Sequence, residues 1–416
     1  MTNLTRRQVL VGSAVGLGAL ALSSCAPQSG GAGGSTGGAT SLNVWDTLSD
    51  TLEGESLAQA HTRDRYTAAH PGTTFVRRSI PAASYKQVVV QAAQARQLPD
   101  IIYCDNPDTS SFAELGILAD LTGRINEWGQ WSTFIPGAAN SCIYDGKTWG
   151  VPDSTSALAL IVNDDLLAAG GVTPPKTWDE LRAAAKKLTK DKVQGFAIAG
   201  GKSESASFQF EPFLWSQGGD LDSLDGPASQ DALQLWADLL ADGSITGGCA
   251  NYDQGDTLSQ FLAGQLAMMY NGPWFYANLK GQSDVKWSVH SLPAGSQGVV
   301  SVTGGGNYII IDNDHVDAAW DFVVYKSSRD EMLTQCREAG VLPARLDAID
   351  EEPWSTDPAL KGWADMVKVA KPRNYGPKYP QMSEVLQNMT QAVLTNTSSV
   401  KQAASDAARA MEPLLA

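Results

Sequence analysis

Charge is scarce in this 416-residue chain, and positive charge scarcer: 18% of residues are charged, with 30 Lys and Arg against 45 Asp and Glu. A formal net charge of −15 leaves no basic stripe to neutralise phosphates, which excludes nucleic acid as a partner. Acidity of this kind serves solubility. Histidine is nearly absent too. His61, His70, His290 and His315 stand far apart, and no cysteine shows Cys-x-x-Cys or His-bracketed spacing, so neither a metal nor another cofactor is expected. The longest apolar stretch near the start, Val9 to Leu22, is too short for a mature membrane-spanning helix. Internal repeats are also missing, so any domain boundary within 41–416 is crossed by compact connections.

What is present begins with an address. Arg6 and Arg7 precede the apolar stretch in "TRRQVL", which resembles a twin-arginine export signal, with Val9 where that pattern prefers Phe. "ALSSC" resembles a bacterial lipobox. Cleavage there makes residues 1–24 a signal peptide and leaves Cys25 to carry lipid, two or more chains of which anchor a protein stably. Losing Arg6 and Arg7 makes the mature form two charges more negative. Residues 25–40 then hold the lipidated cysteine and a Gly/Ser linker, "APQSGGAGGSTGGAT", a flexible tether spanning roughly 20 Å on average. The expected location is outside the cell membrane, anchored to its outer face.

The whole chain is 43% apolar in composition and long enough for two domains. Short apolar runs alternate with helical patterns, which is the mark of α/β architecture. "LNVWD" and "TTFVRRSI" read as strands, and "PDIIYCDN" as a buried one with polar residues at its carboxyl end. Tyr85, Val88, Val89, Ala92 and Ala93 form one helix face. "YDGKTWGVP" predicts a turn at Asp145-Gly146, Thr177 with Glu180 a capping box, and "QGFAIAG" a strand. Trp178, Trp236 and Trp320 fall on helix faces and are assigned to packing.

One segment calls for more than packing. In "MMYNGPWFYANL" the apolar run reads as a strand, Asn271-Gly272 as a turn, and Pro273 as the first residue of a helix, where its missing N–H costs nothing. Trp274 then stands at a strand's carboxyl end, where open α/β sheets bind ligands. An indole beside free backbone donors complements a pyranose, with C–H bonds on its faces and hydroxyls at its edge. Such a contact contributes roughly 1–3 kcal/mol by area.

These residues carry a resemblance. "AGQLAMMYNGPWFYANL" is similar to the segment of maltose-binding protein and related extracellular solute-binding proteins in which an N-G-P-W tryptophan stacks on sugar. "AAHPGTTF", "LPDIIYCDN", "YDGKTWGVP", "DAAWDFVVYKSS", "GVLPAR" and "YPQMSEVLQ" match further family segments in order. The resemblance implies the binding component of an ABC importer, usually for sugars. It implies a type II periplasmic-binding-protein fold: lobe 1 from 41–153 plus 307–352, lobe 2 from 154–306 plus 353–416, and a ligand cleft between them. The expected partners are a sugar or oligosaccharide, the permease subunits and the lipid anchor, for a protein that is a monomer and not an enzyme.

Position by position, the implied ligand residues are Trp274; Trp45 and Asp46 after the first strand; Asp105 and Asn106 after the third; Glu211 and Trp215 in "FEPFLWSQGGDL"; Gly304, Gly305 and Tyr308 in "TGGGNYIII"; and Arg373 and Tyr375 near the hinge. Cys104 replaces an aromatic of maltose-binding protein, so maltose itself is not implied. In an oxidising compartment Cys104 with Cys142 is an expected disulfide, and Cys249 with Cys336 a second. Two rival readings stay open. The same fold could take a glycerophosphodiester or a polyamine, the latter held by Asp46, Asp105 and Glu211; or paired carboxylates could serve a secreted glycoside hydrolase.

Overall fold

The computed structural model describes residues 40–48, 54–281 and 284–415. The export signal, Cys25 and the linker to residue 39 lie outside the described residues.

Strands β1 (Thr40–Asp46), β2 (Thr73–Ser79) and β3 (Ile101–Asp105) run parallel, with β1 in the middle. The helix Gly54–Ala69 connects β1 to β2, and Ala82–Ala95 connects β2 to β3, as βαβ geometry requires. That second helix buries Tyr85, Val89 and Ala92, the face its spacing predicted. A short hairpin follows, β4 (Ile143–Tyr144) and β5 (Lys147–Thr148). Its turn residues Asp145 and Gly146 both have positive φ, 49° and 69°, the conformation that matches the twist of paired strands.

β6 (Gly150–Pro152) leads directly into β7 (Ser154–Ala157) and β8 (Ala159–Asn163). Next come β9 (Met268–Asn271), β10 (Trp287–His290), β11 (Ser301–Gly304), β12 (Gly306–Ile310), β13 (Leu342–Pro343) and β14 (Ala370–Lys371). Among the described residues three larger sheets result, ordered β2-β1-β3-β12-β6, β10-β8-β9 and β13-β7-β11-β14. The run "ALIVN" of β8 is buried at every position, which accounts for the unbroken apolar stretch Ala159 to Val162.

The chain passes between the first and third sheets at two neighbouring places. β6 becomes β7 through Asp153, and β11 becomes β12 at the Gly304–Gly306 run. Asn307 pairs with Pro152 on one side of this crossing and Gly304 with Ser156 on the other. Gly305 and Gly306 thus oppose three residues, Asp153 to Thr155, which makes the crossing a bulge. The packing leaves no room for side chains there. A Cβ on Gly305 would meet the Ser154 carbonyl oxygen at 2.3 Å, and one on Gly306 the Tyr103 ring at 2.1 Å. Gly305 also has φ +124°. Asp153 is locked beneath the crossing by the buried ammonium of Lys326 and by Gln59, which donates to its Oδ2 at 2.7 Å.

Two expectations fail. "QGFAIAG" makes only isolated bridges, Gln194 to Leu266 and Ala197 to Met269, because Gly195 is pressed against Ala185, where a Cβ would sit 1.9 Å from the carbonyl oxygen. Neither disulfide forms: Cys104, Cys142, Cys249 and Cys336 are all free and buried. Cys104 Sγ faces the Thr109 hydroxyl at 3.9 Å, while Cys142 Sγ lies under β6 against Gly150. Cys249 packs beside Gly200, and Cys336 lies near Asp153 and Lys326, so the second pair shares no surroundings. Burial pushes all four thiols up, which makes them inert.

Candidate functional site

The carboxyl ends of β1 and β3, the crossing, and the ends of β9 and the helix Glu204–Ser216 converge on one cleft of about 1130 Å³. Its aromatic part is Phe208, Trp274 and Phe275, and Leu48, Leu57, Ala277 and Val341 add apolar wall. Gly272 caps a 3-10 turn with Pro273 at its first position, and that turn runs on into the helix Tyr276–Gly281. This is the strand, turn and helix the sequence predicted. Trp274 is half-buried, its ring 6.0 Å from Phe208 and 6.3 Å from Phe275. Asn271 fixes the turn: its side chain donates to the Gln254 carbonyl at 3.1 Å and accepts from the Gly272 N–H at 3.1 Å.

The polar part is built around Arg373. Its guanidinium is buried over the Phe208 ring, 4.6 Å from the centroid. It grips both oxygens of Asp105 at 2.9 and 3.0 Å, Glu204 Oε1 at 2.6 Å and Asn106 Oδ1 at 3.1 Å. Burial disfavours this charge, but Asp105, Tyr379, Glu204 and Glu211 around it hold the guanidinium's pKa well above its ordinary value. Arg373 thereby ties β3 to the helix Glu204–Ser216. Nearer the crossing, Tyr103 donates to Glu55 Oε1 at 2.5 Å. Burial raises the Glu55 carboxyl to about 7, against the Tyr103 hydrogen bond that lowers it.

Of the predicted ligand residues, Trp274, Asp105, Gly304, Gly305 and Arg373 line this cleft. The others face inward. Trp45 is buried with the Arg78 guanidinium 4.7 Å over its ring, and Asp46 is paired with Arg77 at 2.7 Å. Tyr308 is buried and donates to Gln59 at 2.5 Å. Asn106 and Glu211 are buried beside Arg373 and Tyr379; burial holds Glu211 well above the usual carboxylate range. Trp215 donates to the Tyr375 hydroxyl at 3.2 Å, and Tyr375 is bonded to Asp220. The glycines stand close to protein: a Cβ on Gly304 would meet Ser156 Oγ at 2.5 Å.

Glu55, Tyr103, Thr155, Glu204 and Phe208 line the cleft without having been singled out. Glu204 and Phe208 lie seven and three residues before Glu211, on the first turns of the helix whose later turns are entirely buried. The three tryptophans assigned to packing do pack. Trp236 is fully buried between Phe210 and Phe213, Trp178 lies 5.7 Å from Phe213, and Trp320 meets Trp128 edge to face at 6.0 Å.

Comparison with known proteins defines the class. Residues 62–362 match the family model of the bacterial extracellular solute-binding proteins. The chain belongs to that family, and it has the two-lobed α/β fold of type II periplasmic solute-binding proteins, with the ligand cleft between lobes. Such proteins bind solutes for ABC transporters rather than transform them, so the hydrolase reading falls. Among the relatives, a protein of Brucella abortus named only as a binding protein is 23% identical over 362 residues, covering 84% of this chain and 88% of its own. A maltotriose-binding protein of Pyrococcus abyssi is 25% identical over 305 residues, 71% of this chain and 64% of that one. The structure of maltose-bound MalE3 of T. maritima superposes with a TM-score of 0.82 at 26% identity, over 91% of this chain and 100% of that one.

Proposed function

We propose that this protein captures a sugar or oligosaccharide in the cleft and delivers it to the membrane permease of an ABC importer, working as an exported lipoprotein tethered through Cys25. The observation that carries the reading is the half-buried indole of Trp274, beside Phe208 and Phe275, in a cleft whose wall also carries hydroxyl, amide and carboxyl groups such as those of Thr155, Ser156, Gln254, Asn278 and Glu55. Flat apolar area next to hydrogen-bonding groups is what a pyranose needs. The maltotriose- and maltose-binding relatives support it.

In this reading lobe 1 is 41–153 with 307–352 and lobe 2 is 154–306 with 353–416, and the Asp153 and Gly305 crossings are the hinge. The bound sugar favours the closed form by the contacts it makes with both lobes at once. Trp274, Asp105 and the Gly304–Gly305 backbone meet the ligand, while Arg373 holds Asp105 and Glu204 in place. No bond is broken.

The rival ligands lose their supports. A phosphodiester would look to Arg373, whose terminal nitrogens already donate to Asp105, Glu204 and Asn106, and whose Nε is buried away from the surface. A polyamine would look to Asp46, Asp105 and Glu211, of which the first two are ion-paired and the third is buried outside the cleft lining. Native mass spectrometry of freshly purified protein, followed by melting in the presence of a panel of uncharged sugars, tests the reading. A co-purified hexose-series mass supports it; a phosphorylated or polyamine mass refutes it.

A further inference from the structure

The charged groups of the cleft are nearly all spent on one another. Among the described residues that line it, Arg373 is the one base, and it is surrounded by acceptors. Asp105 gives both oxygens to Arg373. Glu204 accepts from Arg373 and Tyr379 through Oε1 and from Ser383 through Oε2. Asp253 is exposed and caps the helix Gln254–Leu262. Glu55 differs. It sits in the first turn of the helix Gly54–Ala69, Tyr103 holds its Oε1, and no described residue bonds its Oε2.

We propose that Glu55 is the residue through which the cleft selects its solute: the carboxylate oxygen that Tyr103 leaves free accepts a hydrogen bond from a hydroxyl of an uncharged sugar, and the same charge turns phosphorylated sugars away. The proposal rests on the sugar reading above.

A second observation points to the same ligand chemistry. Thr155, in the bulge of the crossing, is one of the residues that line the cleft, and its buried hydroxyl has no hydrogen-bond partner among the described residues. A buried orphan hydroxyl costs free energy that a polyhydroxyl ligand recovers. Glu55 is held against its solvation as well. The charged and titratable groups that face it are Tyr103 on β3, Asp153 at the crossing, Lys326 on the helix Val316–Lys326 and Asp46 at the end of β1; the two aspartates oppose its charge and Lys326 favours it. With burial the dominant effect, the carboxyl sits at about 7 and is half-ionised near neutrality. Perturbed acids of this kind gather at functional sites.

A hydroxyl that donates to the ionised form draws the carboxyl toward ionisation, so sugar affinity rises with pH through about 7. The test is titration calorimetry at pH 6, 7 and 8 with maltotriose and with glucose 6-phosphate, on wild type, Glu55→Gln and Tyr103→Phe, each checked for folding by its ligand-free melting temperature. The wild type should bind maltotriose roughly tenfold more tightly at pH 8 than at pH 6. Glu55→Gln should bind it roughly tenfold more weakly than wild type at pH 8 and lose the pH slope. Tyr103→Phe removes a hydrogen bond that favours ionisation, so its slope should persist with a midpoint moved to higher pH. Glucose 6-phosphate should not bind the wild type at pH 8. Maltotriose binding that is unchanged in Glu55→Gln, with the wild-type pH slope, overturns this inference and leaves the sugar reading standing. A wild type that takes glucose 6-phosphate and no uncharged sugar overturns both.

Discussion

Trp274 lies across Gly272, so close that a Cβ on that glycine would sit 2.0 Å from the indole ring. The glycine is thus the seat of the tryptophan, and the two residues act as one device. Gly272→Ala should push the indole out of its place and weaken sugar binding in the manner of losing the ring, roughly 5- to 150-fold. Calorimetric titration of the variant checks this; unchanged affinity would mean the ring finds its platform without Gly272.

The crossing at Gly305 should be intolerant for a different reason. At φ +124° and 2.3 Å from the Ser154 carbonyl, an added methyl group is both strained and blocked. Gly305→Ala should cost about 1–3 kcal/mol or more in urea unfolding. Gly116→Ala, where φ is also positive but nothing lies within 4 Å, should cost less and separates strain from collision.

Beneath the crossing, Lys326 and Asp153 are each 1% exposed. Lys326→Met strands a buried carboxylate that still accepts from Gln59 and Gln335. The expected loss is about 3–5 kcal/mol, read by denaturant unfolding at pH 7. Replacing both partners with apolar residues should recover much of it.

Glu55 makes stability depend on pH in a defined direction. Its carboxyl is raised in the fold from 4.5 to about 7, so between those values the native state holds a proton that the unfolded chain releases. That contribution is complete below about 4.5 and lost as pH climbs through 7. Glu55→Gln should therefore melt higher than the wild type at pH 8 in the absence of ligand, and match it at pH 4.5. A variant no more stable at pH 8 would show that the carboxyl is not held against ionisation.

Much of this molecule is legible along the chain. The strand, turn and helix around Pro273 follow from local rules, and so do β1, β2, β3 and the Asp145-Gly146 hairpin. The cleft is legible only in part, because its logic is non-local. Asp105 and Arg373 are 268 residues apart in sequence, and nothing local says that one neutralises the other. Trp45 and Asp46 look free at the end of a strand, yet β2 lies in parallel register beside them and supplies Arg78 and Arg77. Glu211 and Trp215 sit on a helix buried nearly all round, so only its first turns, with Glu204, Ser205 and Phe208, reach the cleft. Position just after the first strand's loop was the available signal for Glu55. The cysteines show the limit of counting: an even number in an exported chain is compatible with four buried, free thiols.

Paired truncations separate a tryptophan that serves as a sugar platform, the role proposed for Trp274, from one that is a pillar of the core. Titrate Trp274→Ala and Trp236→Ala with maltotriose and record the ligand-free melting of each. Trp274→Ala should lose about 1–3 kcal/mol of affinity and keep its melting temperature, because its ring is half-exposed in the cleft. Trp236→Ala, from a fully buried ring, should lose about 3–5 kcal/mol of stability. If Trp274→Ala unfolds like Trp236→Ala, or binds maltotriose as tightly as the wild type, the platform is not there.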